Sequence, residues 1–301
     1  MRRAVSIAFI SLLATLAVPW RPASANLSGP DYPNVVYRTV GDVTLTLDIY
    51  LPTGRGPFPG VLVTHGAIRQ GDKTDYAGEA QILSDNGFAA FAANYRMSCD
   101  PAAPPPDVDP KLCGYHAIVP VQDLLQAVKW IRAHAASYKT IPTKVGAFGG
   151  SFGGNLVQML GTLGKPGKTK PNVVTAWSGS SELWKYAEGG DPERAYSIRL
   201  AYCGCPFEGP GSCPDVWYEG SPISYVNGND VPTYLANGSF EEVPLVEATD
   251  MQAALTDAGV PVFLRVIPGD LHARAYEDYV VDGSGTTVFM ESIEFLHTYL
   301  D

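Results

Sequence analysis

Three residue types decide what chemistry this sequence can perform: a serine set among glycines, a histidine in a late loop, and carboxylates between them. Ser151 lies in Val145-Gly-Ala-Phe-Gly-Gly-Ser-Phe-Gly-Gly154, followed by Asn155-Leu-Val-Gln-Met-Leu160. An apolar run, four flanking glycines and an amphipathic start read as strand, sharp turn and helix, with the hydroxyl at the apex. Gly149-Gly150-Ser151-Phe152-Gly153 fits G-x-S-x-G, a turn whose glycines admit close backbone approach while the serine stays strained and exposed. Alone, the pattern is a weak signal, because a glycine-rich turn without chemistry uses the same residues. The glycines do not space as G-x-G-x-x-G, which counts against a dinucleotide loop.

A serine hydroxyl needs a base, the base needs an orienting acid, and the oxyanion needs donors. With this kind of elbow the chain order is Ser, then Asp or Glu, then His. His65, His116 and His134 precede Ser151, and His297 falls inside a terminal helical pattern. His272, in Ile267-Pro-Gly-Asp-Leu-His272-Ala, follows a strand pattern and is the expected general base. The acid is expected after the preceding strand, Pro232 to Ala236, where Asn237-Gly-Ser-Phe-Glu-Glu242 offers Glu241 and Glu242. Glu241 is the first choice and Glu242 the second; the one left over is a carboxylate favoured at a helix N-terminus. Backbone N–H groups of Phe152, next to the nucleophile, and of Ala67, after the His65-Gly66 strand end, are the expected oxyanion donors. His65 itself reads as a structural hydrogen-bonder.

The elements that must position these groups are legible as alternating patterns. Val35 to Tyr37 and Val43 to Tyr50 read as two strands joined at Gly41-Asp42. Val61 to His65, Phe88 to Asn94, Val173 to Trp177, Pro232 to Ala236 and Val260 to Ile267 read as buried strands. Ala77 to Asp85, Val121 to Ala136, Leu245 to Ala258 and Thr287 to Leu300 read as helices. The alternation predicts a mostly parallel sheet covered by helices on both faces. Leu183 to Tyr225 is irregular, aromatic and cysteine-rich, and is expected to form a small cap above the sheet.

The composition narrows the setting. Arg2 and Arg3, an apolar run from Ala4 to Val18, and Ala23-Ser24-Ala25 predict a secretory signal peptide over 1–25 and a single domain over 26–301. No further apolar run reaches membrane-spanning length. The formal net charge is −10, and loss of Arg2, Arg3 and Arg21 would take it to −13, which repels nucleic acid and anionic membrane surfaces. In an exported chain four of the five cysteines are expected to pair, Cys99 with Cys113 and Cys213 with Cys203 or Cys205, leaving one thiol free. No histidine lies near the second cluster, so a metal site is not expected there, and no cofactor is implied.

Several stretches taken together resemble the α/β-hydrolase superfamily, specifically the esterase and lipase branch with BD-FAE-like carboxylesterases. They are Leu47-Asp-Ile-Tyr-Leu-Pro52, His65-Gly66 with Gly71-Asp-Lys73, Asn94-Tyr-Arg96, Val121-Gln-Asp123 with Ala127-Val-Lys-Trp130, the elbow, Ser221-Pro-Ile-Ser224, and Gly269-Asp-Leu-His272. The resemblance implies a sheet of about eight strands, a Ser-His-acid triad, no metal, and hydrolysis of a small or sugar-linked acyl ester through an acyl-enzyme. Two positions depart from the pattern. The usual glycine-rich H-G-G-G loop is His65-Gly-Ala-Ile-Arg-Gln70 here, and Phe240 stands where an aspartate is usual. The rival readings are a prolyl-oligopeptidase-type peptidase and a non-catalytic binding protein on the same scaffold. Trp184, Tyr186, Tyr196, Tyr202, Trp217 and Tyr218 crowd the expected cap, either as a stacking surface or as its packing.

Overall fold

The computed structural model describes residues 28–67, 70–106, 108–188 and 190–301. The expected signal peptide, 1–25, lies outside the described residues. Eight strands form one sheet: β1 Tyr32–Val40, β2 Val43–Tyr50, β3 Phe58–Thr64, β4 Ala89–Ala93, β5 Thr140–Gly150, β6 Val174–Trp177, β7 Thr233–Gly238 and β8 Val262–Ile267. Their order is β1-β2-β4-β3-β5-β6-β7-β8. Pairing is antiparallel for β1 with β2 and β2 with β4, and parallel from β4 through to β8.

The helices are α1 Ala77–Asp85, α2 Ile118–Ala133, α3 Phe152–Leu163, α4 Pro192–Cys203, α5 Pro214–Glu219, α6 Leu245–Asp257 and α7 Val288–Leu300. Ala89 to Ala93 is buried throughout, as expected of a strand covered on both faces. Val121, Leu124, Val128 and Ile131 of α2, Leu156 and Leu160 of α3, and Met251 and Leu255 of α6 build the core on one face. Ile82 and Leu83 of α1 and Phe289, Ile293 and Leu296 of α7 build it on the other.

Two buried ion pairs lock the loops around this sheet. Asp123 of α2 receives both Nε and Nη2 of Arg96 at 2.8 Å, fixing the chain beyond β4. Lys73 Nζ meets Asp48 of β2 at 2.9 Å and Asn34 at 3.0 Å. Breaking either pair would strand a buried charge, so these motif residues act as struts.

The irregular stretch expected over Leu183–Tyr225 is corrected in part, because it contains α4 and α5. Asp191 caps α4 through its side chain, Pro192 occupies the first turn, and Gly204 ends it in the left-handed region. These stop and start signals were present. The periodicity was not, because α4 lies between the sheet domain and its own aromatic neighbours and carries no continuous apolar stripe. Helix α3 begins at Phe152, directly after the serine, rather than at Asn155. Cys99 bonds Cys113 and Cys205 bonds Cys213, leaving Cys203 as a buried free thiol.

Candidate active site

The site forms where the sheet order reverses. From β3 the chain crosses first to β4 on one side and later to β5 on the other, so the loops leaving β3 and β5 diverge and open a crevice at the strand ends. Ser151 stands at the end of β5 and His65-Gly66-Ala67 at the end of β3.

The elbow is built by glycines that leave no room for a side chain. A Cβ on Gly149 would lie 2.2 Å from Thr64 Oγ1, and one on Gly153 would lie 2.5 Å from the Thr64 carbonyl. Gly66 faces the serine, where a Cβ would come within 3.0 Å of Ser151 Cβ. Ser151 adopts φ 56° and ψ −125°, a strained conformation for a residue with a side chain. Its N–H is tied to the Trp177 carbonyl at 2.8 Å, so the sheet itself holds the strained turn.

Ser151 Oγ lies 2.9 Å from His272 Nε2. His272 Nδ1 bonds Glu241 Oε2 on the opposite side of the ring. Because a carboxylate only accepts, Nδ1 carries the proton and Nε2 faces the serine hydroxyl with its lone pair. Glu241 is buried, and its other oxygen lies 2.8 Å from Gly238 N–H and 2.9 Å from Ser178 Oγ, with the Tyr276 hydroxyl also in contact. Ala273 N–H donates to Ser178 Oγ at 2.8 Å, closing the network beside the histidine. Burial favours the neutral imidazole, but the bond and charge of Glu241, with Glu242 adding to them, hold the His272 pKa above its ordinary value.

Of the two carboxylates expected as alternatives, Glu241 meets Nδ1, while Glu242 Oε1 stands 3.3 Å from Nε2 and its other oxygen meets Arg194. Phe240 points away, 72% exposed. Phe152, in the first turn of α3, has no intrahelical acceptor for its N–H. Phe152, Gly66 and Ala67 line the same cavity as Ser151, and Ala67 holds φ 51°. His65 lies beneath the loop: Tyr95 stacks on its ring at 4.3 Å, Nδ1 bonds the Gly66 carbonyl at 2.9 Å, and burial lowers its pKa. His116, His134 and His297 bond the Ala201, Trp130 and Asn86 carbonyls, away from the site.

The cavity has a volume of about 640 Å³. Leu183, Ala195 and Ile198 supply apolar lining, and Arg194, Ser197 and Arg199 polar lining. This wall is anchored from below. Asn155 Nδ2 donates to the Ser180 and Gly220 carbonyls at 2.8 and 3.1 Å, and Glu247 of α6 pairs with Arg199 of α4. Of the expected cap aromatics, Tyr202 and Trp217 are fully buried, and Tyr186 and Tyr196 pack against each other with tilted rings 4.8 Å apart. Those four therefore pack the segment instead of offering a surface. Sequence reasoning missed Ser178, Tyr276, Arg194 and Arg199. They come from distant positions with no local motif, although the positive φ of Ser178 (48°) marks a special turn.

A sequence model of the BD-FAE family matches residues 47–255. The chain belongs to the BD-FAE family. Its likeness to individual proteins is lower but spans most of the molecule. It is 28% identical over 263 residues to a versiconal hemiacetal acetate esterase from Dothistroma septosporum, covering 81% of this chain and 75% of that one. It is 27% identical to the acylamino-acid-releasing enzyme of Rattus norvegicus, covering 90% of this chain and 35% of the rat enzyme's length. Among solved structures it resembles a thermophilic esterase of Thermogutta terrifontis bound to butyrate, with TM-score 0.66 and 19% identity over 91% of this chain and 94% of that one. It also resembles an acetyl ester-xyloside bifunctional hydrolase of Caldicellulosiruptor lactoaceticus, with TM-score 0.71 and 18% identity over 90% of this chain and 97% of that one. The BD-FAE chain thus has the α/β-hydrolase fold that the sequence resemblance implies.

Proposed function

We propose that the protein hydrolyses carboxylic esters through an acyl-enzyme on Ser151. The observation that carries this reading is the 2.9 Å contact between Ser151 Oγ and His272 Nε2, on a ring whose Nδ1 is held by buried Glu241. As Oγ attacks the ester carbonyl, Nε2 takes its proton. The imidazolium formed is stabilised by the Glu241 carboxylate, which its three hydrogen-bond donors hold in place against Nδ1. The oxyanion is received by the N–H groups of Phe152 and Ala67. His272 then protonates the leaving alcohol, and water enters by the same route in reverse to release the acid. Glu241 is assigned as the orienting acid in place of Glu242.

The cavity admits a small or sugar-linked acyl ester, with the 183–225 segment acting as a cap that shapes it. The basic start and apolar run at 1–25, with the disulfides Cys99–Cys113 and Cys205–Cys213, support an exported, secreted or periplasmic enzyme. The likeness to the acylamino-acid-releasing enzyme favours a second reading, cleavage of acylated peptides by the same serine. Parallel assays separate the two. Wild-type protein is expected to turn over p-nitrophenyl acetate, and Ser151→Ala to lose that turnover by at least about 10³-fold. Faster cleavage of an acylaminoacyl anilide than of the ester would favour the peptidase reading, and full activity in Ser151→Ala would overturn both.

A further inference from the structure

The imidazole of His272 is flanked by two carboxylates, and the proposed mechanism uses only one of them. Glu241 takes Nδ1. Glu242 Oε1 stands 3.3 Å from Nε2, the atom that exchanges a proton with Ser151 2.9 Å away. A carboxylate on that side stabilises the imidazolium but also competes with the serine and the leaving oxygen for its proton. Glu242 is restrained from the opposite wall, because its Oε2 accepts from Arg194 Nε in the first turn of α4. The same wall is tied to the acid loop by Gly190 N–H, which donates to the Glu241 carbonyl at 2.9 Å.

We propose that Glu242 and Arg194 form a positioning pair that sets the basicity of His272, with Arg194 drawing Glu242 aside from the path between Nε2 and Ser151. This rests on the serine mechanism proposed above. The other charged and titratable groups facing the ring are accounted for separately. Glu241 is bonded to Nδ1 and, with Tyr276, belongs to the buried network; Arg274 is matched by Glu79; Asp75 and Tyr76 line the same cavity without an ion pair or hydrogen bond to the ring; Asp270 precedes the ring in its own loop. Among the described residues, only Glu242 and Arg194 therefore combine access to the reacting nitrogen with a charge partner on a different element. The directions agree with this placement, since Glu242 raises the His272 pKa and Arg194 lowers it.

The reaction needs neutral His272, so activity falls as pH drops through its pKa. Removing Glu242 should carry that acid limb to lower pH, and removing Arg194 should carry it to higher pH. The test is the pH dependence of kcat/KM for p-nitrophenyl acetate in wild type, Glu242→Gln, Arg194→Met and the double variant. On the acid limb, Glu242→Gln is expected to run at about twice the wild-type fraction of its plateau or more, and Arg194→Met at about half or less. The Arg194→Met effect should shrink in the Glu242→Gln background, because the guanidinium acts partly through that carboxylate. Ring titration of His272 by NMR in a Ser151→Ala background should give the same order without turnover. Arg194 has a side chain 65% exposed, so its variant decides the question even if Glu242→Gln folds poorly. Superimposed limbs, or limbs moving the same way, would overturn the pair. Undiminished turnover in Ser151→Ala would remove the serine mechanism instead, a distinct result.

Discussion

At the residue scale, the question left by the sequence was which of two adjacent carboxylates faces the histidine. Neighbouring residues in a loop point in different directions, and only the backbone path decides between them. Gly238 N–H, Ser178 and Tyr276 converge on Glu241 from three separate stretches of chain, so the choice depends on contacts 63 and 35 positions apart. Phe240, at the position where an aspartate is usual in the family, is turned out to solvent. A glutamate one residue later, with a longer side chain, reaches the imidazole instead. Glu241→Gln is therefore expected to reduce kcat by about 10³–10⁴-fold, because an amide can present the wrong partner to Nδ1 and cannot stabilise imidazolium. Glu242→Gln is expected to lose far less. Steady-state turnover of the two variants at a pH well above the acid limb makes the comparison, and the opposite ranking would contradict the assignment.

At the scale of elements, the elbow was the most readable feature, because its glycines are demanded by close backbone approach between β3, β5 and α3. Gly153→Ala would drive a methyl against the Thr64 and His65 carbonyls, at 2.5 and 2.7 Å before relaxation. It is expected to cost about 1–3 kcal/mol and to displace the serine. Gly78→Ala in α1 meets nothing within 4 Å and is a useful control. It is expected to be neutral or to stabilise by up to about 1 kcal/mol, as alanine restricts the unfolded chain more than glycine. Urea unfolding of both proteins checks the opposite signs. Helix α4 was harder to read, since Asp191-Pro192 and Gly204 mark its ends but no apolar stripe marks its length. Its fold is dictated by partners elsewhere, chiefly the buried Arg199–Glu247 pair and the aromatic packing around Trp217.

At the scale of the whole molecule, strand and helix alternation was enough to foresee a parallel sheet with helices on both faces. Each pattern is local, and a strand buried on both sides must be apolar throughout. The order of the strands is not local. It brings the β3 loop beside the β5 elbow, and it carries Glu241 and His272 in from β7 and β8 to the same edge. Cysteine pairing was legible for Cys99 and Cys113, but Cys203 and Cys205 are nearly equivalent in sequence. The end of α4 separates them, leaving Cys203 buried and Cys205 free to reach Cys213. The central claim is that this assembly makes one hydroxyl among all the serines nucleophilic. The most direct measurement is reaction of the folded protein with a fluorophosphonate, followed by intact-mass and peptide analysis. One adduct per chain on the peptide containing Ser151, lost in Ser151→Ala and on prior unfolding, is the predicted result. No adduct at neutral pH, or an adduct on another serine with Ser151 unmodified, would contradict it.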